Sequence, residues 1–143
     1  MTLGASGGLR RIESHGVEFS FPDFWEFSEE EADNGDVALT VAAVGTCFWT
    51  LRILRSSPSP DDVIRSCIDA FAEEYGEIDD YPATCRIAGE AAIGRELEFI
   101  CLELVNSVGL YSVRTRRFTL LVWWQGTDHE LLEVRPLLEQ MTR

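Results

Sequence analysis

Two carboxylates and two guanidinium groups have the types and spacing that could support chemistry. Glu96 and Glu98 fall two residues apart in a strand-like pattern, which places both side chains on one face, about 7 Å apart. That separation suits the paired carboxylates of a glycosidase. Arg114 and Arg116 share a face of the next predicted strand, so a cross-strand ladder of opposite charges is the alternative. We favour the ladder, because a chain of 143 residues seldom provides a deep sugar cleft.

The same two arginines, with Arg117, form the densest basic patch in the sequence. Guanidinium groups bind carboxylates and phosphates through paired hydrogen bonds, so Arg114 and Arg116 are candidate anion contacts. The net charge of −13 at pH 7 favours a different use, which is neutralisation by the protein's own acidic segments.

Other catalytic machinery is not visible in the sequence. All 12 basic residues are arginine, which excludes a Walker lysine, a Schiff-base lysine and a Ser–Lys pair. A histidine-activated nucleophile would need His15 or His129, and neither is coupled in sequence to a nucleophile. We therefore predict no catalytic residue, no metal site and no cofactor, and a protein that is not an enzyme.

Residues 26–36 contain six acids and no base. The simpler interpretation is a solvated loop, and the functional one is a docking surface to which long-range attraction steers a basic partner. The candidate docking residues are Glu29, Glu30, Glu31, Asp33 and Asp36. The predicted partner is another protein, since a net charge of −13 repels the phosphate backbone of nucleic acids.

The elements that must position these residues alternate between strands and helices. Apolar and polar patterning predicts strands at 17–21, 37–44, 46–54, 83–88, 93–104, 111–118 and 120–124, with turns at 89–90 and 106–109. Strands joined by short turns pair antiparallel, which predicts an α+β fold with a single antiparallel sheet. Trp123 and Trp124 must project from opposite faces, so both sides of the sheet need cover.

Two helices are predicted to flank this sheet, one internal and one C-terminal. Ser59 and Pro60 have the residue types of an N-cap and a first helical position, and apolar residues recur at helical spacing as far as Tyr75. Thr127 and Glu130 form a capping-box pattern that opens the last helix.

The chain is predicted to hold one domain over residues 16–143, preceded by a flexible leader at 1–15 that is rich in Gly and Ser. The leader lacks the apolar stretch of a signal peptide, and no run approaches the roughly 20 apolar residues of a membrane span. The four cysteines show no C-x-x-C pair or metal-ligand spacing, which favours free thiols. A cytoplasmic protein with no membrane partner is expected.

Several motifs resemble those of the Mog1/PsbP-like fold. They are Phe19-x-Phe21-Pro22-x-x-Trp25, Phe48-Trp49-x-Leu51-x-Ile53, the helix ending at Tyr75, Gly89-x-x-Ala92-x-Gly94-x-Glu96-Leu97-Glu98-Phe99, and Leu121-Val122-x-x-Gln125. Over residues 16–143 the chain is similar to an uncharacterised bacterial branch of that fold. The resemblance implies an antiparallel sheet with flanking helices and a non-catalytic protein-binding domain, since known relatives bind a small nuclear GTPase or form an extrinsic photosystem subunit.

We therefore predict a non-enzymatic protein-interaction or adaptor domain with an acidic docking surface. The alternative is a carrier of a small ligand, with an apolar pocket lined by Trp25, Trp49 or Trp124. Such large aromatic side chains more often fill a core than line a pocket.

Overall fold

The computed structural model describes residues 8–43 and 45–142 of the chain. In chain order, the elements of these ranges are β1 (Leu9–Ser14), β2 (Val17–Pro22), β3 (Glu26–Glu31), β4 (Val37–Ala42), β5 (Phe48–Leu54), α1 (Pro60–Tyr75), β6 (Asp79–Ile87), β7 (Glu90–Cys101), β8 (Leu104–Arg114), β9 (Thr119–Thr127) and α2 (Asp128–Thr142). Every strand pair is antiparallel. The predicted α+β class with an internal and a C-terminal helix is confirmed.

Seven of the strands form one sheet in the order β3-β4-β5-β9-β8-β7-β6, while β1 and β2 form a separate hairpin. The single predicted sheet is therefore a large sheet with a hairpin packed on it. Leu9 to Ser14 pair with β2, and Ile12 packs against the core, which corrects the flexible leader for these residues. Residues 1–7 of that leader lie outside the described ranges.

Both faces of the sheet are covered, as the two adjacent tryptophans required. On one face, Val63, Ile64 and Phe71 of α1 pack on strands β7, β8 and β9. On the other face, the β1–β2 hairpin and α2 cover β4, β5 and β9. Trp124 is fully buried under α2, and Trp123 packs against the α1 cluster, so the opposite projection of these two residues is confirmed.

The turn between β7 and β8 differs from the prediction. It lies at Leu102 and Glu103, which have φ angles of 53° and 66°. The predicted turn at 106–109 is instead part of β8. Gly109 is needed there because a Cβ at this position would overlap the indole of Trp124. A glycine that signals a turn in the sequence thus marks close packing in the middle of a strand.

Candidate functional site

The acidic candidates lie on β3 and on the turn that follows it, at one edge of the large sheet. Glu29, Glu30 and Glu31 belong to a strand that pairs with β4, and not to the loop that the simpler interpretation assumed. The strand forms because Phe27 is half-buried against Phe19 and Phe21 of the hairpin, with ring centroids 6.3 and 6.0 Å apart. The other five residues of β3 are exposed.

Glu29 is engaged by the β1–β2 hairpin. Its carboxylate accepts a hydrogen bond from the Ser14 hydroxyl at 3.3 Å, and its second oxygen lies 3.2 Å from Nε2 of His15. His15 is the turn residue of the hairpin, with a φ of 51°, and its Nδ1 lies 3.3 Å from the Arg55 guanidinium. Glu29 therefore ties the hairpin to the sheet edge, and His15 has a structural role in the same contact.

Asp36 is held by its own turn and by Arg55, the residue that follows β5. Its carboxylate accepts the backbone N–H of Arg55 at 2.8 Å, and its own N–H donates to the Asn34 side chain at 3.0 Å. The backbone of Ala32 closes the turn through a 2.8 Å bond to the carbonyl of Asp36. Asp36 is thus a turn-forming residue with little freedom to bind a partner.

Glu30, Glu31 and Asp33 differ from these two residues. All three are exposed, and none forms an ion pair with another residue in the described ranges. Glu30 and Glu31 line a shallow groove of about 230 Å³ together with Arg52, which is likewise exposed and unpaired among these residues. We call Glu30, Glu31 and Asp33 the acidic edge.

The predicted charge ladder is wrong. Glu96 lies opposite Gly109 and Glu98 opposite Ser107, far along the strand from Arg114. The reason is the position of the turn, because a turn at 102–103 pairs β7 with the first part of β8. The two arginines therefore have no acidic partner across β7.

The candidate anion contacts do not converge on one point. The Arg114 guanidinium donates to the carbonyl of Ser57 at 2.6 Å, which fastens the loop before α1. Arg116 is exposed in the turn between β8 and β9, and no described acid pairs with it. Anion binding by these two residues stays a prediction.

Glu96 is part of a half-buried cluster that joins α2 to the sheet. Both of its carboxylate oxygens lie 2.7 Å from Nη2 of Arg135, and the Tyr111 hydroxyl donates to one of them at 2.9 Å. The Arg135 guanidinium also lies 4.9 Å from the ring centre of Trp124. Burial, and then the Glu96 charge, raise the pKa of Tyr111, so this phenol stays protonated as a donor.

Glu96 and Glu98 lie in different environments, although they share one face of β7. The Glu96 carboxylate is neutralised by Arg135, whereas Glu98 is exposed on the same face without an ion pair to any described residue. The sequence identified Glu96 but missed Tyr111 and Arg135, because these partners are 15 and 39 residues away and no local pattern links them. The arrangement is suited to holding a helix in place.

A second region is an apolar, partly open cavity of about 410 Å³, bordered by the β1–β2 turn, the β6–β7 turn, the β8–β9 turn and the end of α2. Trp49 lines it, as the alternative interpretation predicted. Trp25 and Trp124 do not line it and are buried elsewhere in the core. Cavity walls depend on which elements meet over the sheet, and the sequence alone does not reveal this.

Other reactive groups are dispersed through the described chain. No three His, Cys, Asp or Glu residues within 8–43 and 45–142 converge as metal ligands would. The four cysteines are unpaired, and burial raises the pKa of Cys47 to about 12. Neither described helix has the length and apolar content that crossing a membrane demands.

Comparison of the whole chain with known proteins finds similarity in structure alone. No protein-family model matches the sequence, and no curated protein matches it. The solution structure of cyanobacterial PsbP (CyanoP) from Synechocystis sp. PCC 6803 is similar with a TM-score of 0.57 and 14% identity, over 94% of this chain and 89% of that one. PA94 of Pseudomonas aeruginosa, a protein of unknown function, gives 0.54 and 14%, over 94% and 93%.

LpqN of Mycobacterium tuberculosis, described as involved in cell envelope biogenesis, has a TM-score of 0.49 at 10% identity, over 96% of this chain and 90% of that one. The similarities to CyanoP and PA94 extend over nearly the whole length of each protein. The chain therefore has a Mog1/PsbP-like fold, as its motifs predicted. At these identities the similarity establishes the fold and leaves the function open.

Proposed function

We propose that this chain is a non-enzymatic protein-binding domain that docks a basic, extended segment of another protein along β3. One observation carries the proposal. Strand β3 is an outer strand of the seven-stranded sheet, and the acidic edge beside its free side has no cation paired with it among the described residues.

The backbone of an outer strand supplies the affinity in this mode of binding. An outer strand presents unpaired N–H and C=O groups, which a second chain can use by adding a strand. Natural proteins often protect such edges with charged side chains, lysine above all, or with a covering segment. This chain contains no lysine, and five of the six β3 residues are exposed. The edge is therefore accessible to a strand from a partner.

The charges of the acidic edge supply the specificity. Acidic side chains beside an exposed backbone repel a second copy of this chain, which has a net charge of −13, and attract a segment rich in arginine or lysine. The same charge disfavours nucleic acid. Self-association through β3 is thus opposed while a basic partner is favoured.

The proposal is tested by affinity capture from host lysate at low salt with three forms of the chain. The edge variant carries Glu30→Gln, Glu31→Gln and Asp33→Asn. The control variant carries Glu73→Gln, Glu74→Gln and Glu77→Gln, three exposed acids near the end of α1 that also form no ion pair with described residues. Both variants lose three negative charges, so they differ only in where the charge is removed.

We expect wild type and control to retain the same basic protein, and the edge variant to lose it. Retention by the wild type should also fail at about 1 M salt, where screening shortens to roughly 3 Å. Slower hydrogen exchange of the β3 amides in the complex would locate the contact. Equal retention by all three forms, or the absence of any basic companion of the wild type, would contradict the proposal.

A further inference from the structure

We infer that the apolar cavity beside Trp49 binds a small amphipathic monocarboxylate, with its apolar tail inside and its carboxylate at Arg117. This inference is independent of docking on β3. The cavity shares no lining residue with the groove at the acidic edge.

The interior of the cavity is suited to an apolar tail. Its floor is formed by Trp49 and Leu51 of β5 and by Leu120 and Val122 of β9, all of them buried. A volume of about 410 Å³ lies within the roughly 300–1,000 Å³ of small-molecule sites. Binding of an apolar group in such a cavity is favourable, because it removes apolar surface of the ligand and of the cavity from water.

The one polar group of the floor already has a partner. Nε1 of Trp49 donates to the Thr142 hydroxyl at 3.1 Å, and that hydroxyl donates to the Leu138 carbonyl at 2.9 Å. A ligand tail therefore finds no open donor on Trp49. This arrangement favours a hydrocarbon or an aromatic ring over a sugar or another polyhydroxylated ligand.

The mouth of the cavity selects the charge of the ligand. Glu18 and Arg117 both line it and are exposed, and Glu18 already pairs with Arg11 at 2.6 Å, a guanidinium that also lies 3.6 Å from Glu13. The Arg117 side chain forms no ion pair within the described ranges. It extends over Gly16 in the hairpin turn, where an added Cβ would be 3.6 Å from Nη1.

Arg117 is the one cationic side chain among the described residues that line the cavity, on a protein whose net charge is −13. A guanidinium group matches a carboxylate through two parallel N–H donors, and that geometry adds both energy and orientation. A carboxylate at the mouth and a tail on the Trp49 floor together define the proposed ligand class.

Decanoate and 1-decanol are the probes for this site, titrated separately into the full chain below micelle formation. The sequence has two methionines, Met1 and Met141, and Met141 lines the cavity. Labelling with ¹³C-methyl methionine gives a local signal, assigned by its loss in Met141→Leu. We expect decanoate to shift the Met141 methyl resonance saturably, and calorimetry to give the affinity.

The headgroup contact is tested by Arg117→Gln, with Arg116→Gln as the matched control from the same turn. We expect Arg117→Gln to weaken decanoate binding about tenfold, the usual effect of one lost charge-assisted contact. The control should stay within about twofold of wild type, well below that effect. Binding of 1-decanol should be the same in wild type and Arg117→Gln, because it has no charge to pair.

Two results would overturn the inference. The first is a Met141 methyl resonance that does not respond to decanoate. The second is equal weakening of decanoate binding by Arg117→Gln and Arg116→Gln, which would indicate general charge attraction only. The edge variant of β3 should bind decanoate like the wild type, so failure of the docking proposal and failure of this one are distinguishable.

Discussion

The Glu96 cluster and the acidic edge contain the same side-chain chemistry in opposite situations. Glu96 is 29% exposed and has two partners, Arg135 and Tyr111, each within 3 Å. Glu30 and Glu31 are exposed and form no ion pair with any described residue. A carboxylate with partners stabilises the fold, and a carboxylate without them is available for binding. Burial and partners, and not residue type, separate the two roles.

The largest expected effect comes from Glu96→Ala. This change leaves the Arg135 guanidinium and the Tyr111 hydroxyl without their acceptor, at a cost of about 2 kcal/mol in the free energy of unfolding. The expected cost is smaller than that of breaking a fully buried ion pair, because the side chains of Arg135 and Glu96 are 36% and 29% exposed. Urea unfolding at pH 7 measures the change.

Glu98→Ala is the matched control, since Glu98 lies on the same face of β7 and is exposed. We expect it to change stability by no more than about 0.5 kcal/mol. A control as destabilising as Glu96→Ala would show that strand propensity, and not the cluster, determines the loss.

Glu130 is a third kind of carboxylate, which is half-buried and accepts hydrogen bonds but has no arginine partner among the described residues. Its carboxylate accepts the backbone N–H of Thr127 at 2.9 Å, and the N–H and hydroxyl of Thr46 at 2.7 and 2.9 Å. Burial alone would raise its pKa, but the hydrogen bonds from Thr127 and Thr46 outweigh burial and lower the pKa below the usual 4.5. We expect Glu130→Gln to cost about 1 kcal/mol at pH 7, the usual value of a helix cap.

The pH dependence of this cost has a definite sign. The folded pKa of Glu130 is depressed, so its stabilisation is fully present above pH 4.5 and is lost as the pH falls through the folded value. The difference in unfolding free energy between wild type and Glu130→Gln should therefore shrink at acidic pH. A difference that stays constant on acidification would mean that Glu130 acts by shape and not by charge.

The elements that the sequence predicted correctly are those marked by residues close together in the chain. Ser59 and Pro60 stand at the start of α1, Gly76 ends it with a φ of 78°, and the Thr127–Glu130 capping box opens α2. Each depends on residues within a few positions. The predicted pairing of β7 with β8 is wrong, because the turn between them is formed by Leu102 and Glu103. These residues adopt positive φ without the glycine or asparagine that usually marks such a turn.

The candidate site was predictable only in part, for the same reason. The sequence located the acidic residues, but the contacts that occupy Glu29 and Asp36 come from His15 and Arg55, which are 14 and 19 residues away. Of the three tryptophans that the sequence offers as a pocket lining, Trp49 lines the cavity, whereas Trp25 and Trp124 do not. Which side chains are free is a property of the assembled sheet, and patterns along the chain do not determine it.

The smallest expected effect, and the one that sharpens the comparison most, belongs to the edge variant with Glu30→Gln, Glu31→Gln and Asp33→Asn. We expect its free energy of unfolding to stay within about 0.5 kcal/mol of wild type, because no described contact is lost and mutual repulsion falls. Urea unfolding at low and high salt measures it, with the α1 control variant treated in parallel. A loss near that of Glu96→Ala would assign the acidic edge a structural role and remove the basis for docking there. If the stability is unchanged and the captured basic protein is lost, these three residues contribute to binding and not to folding.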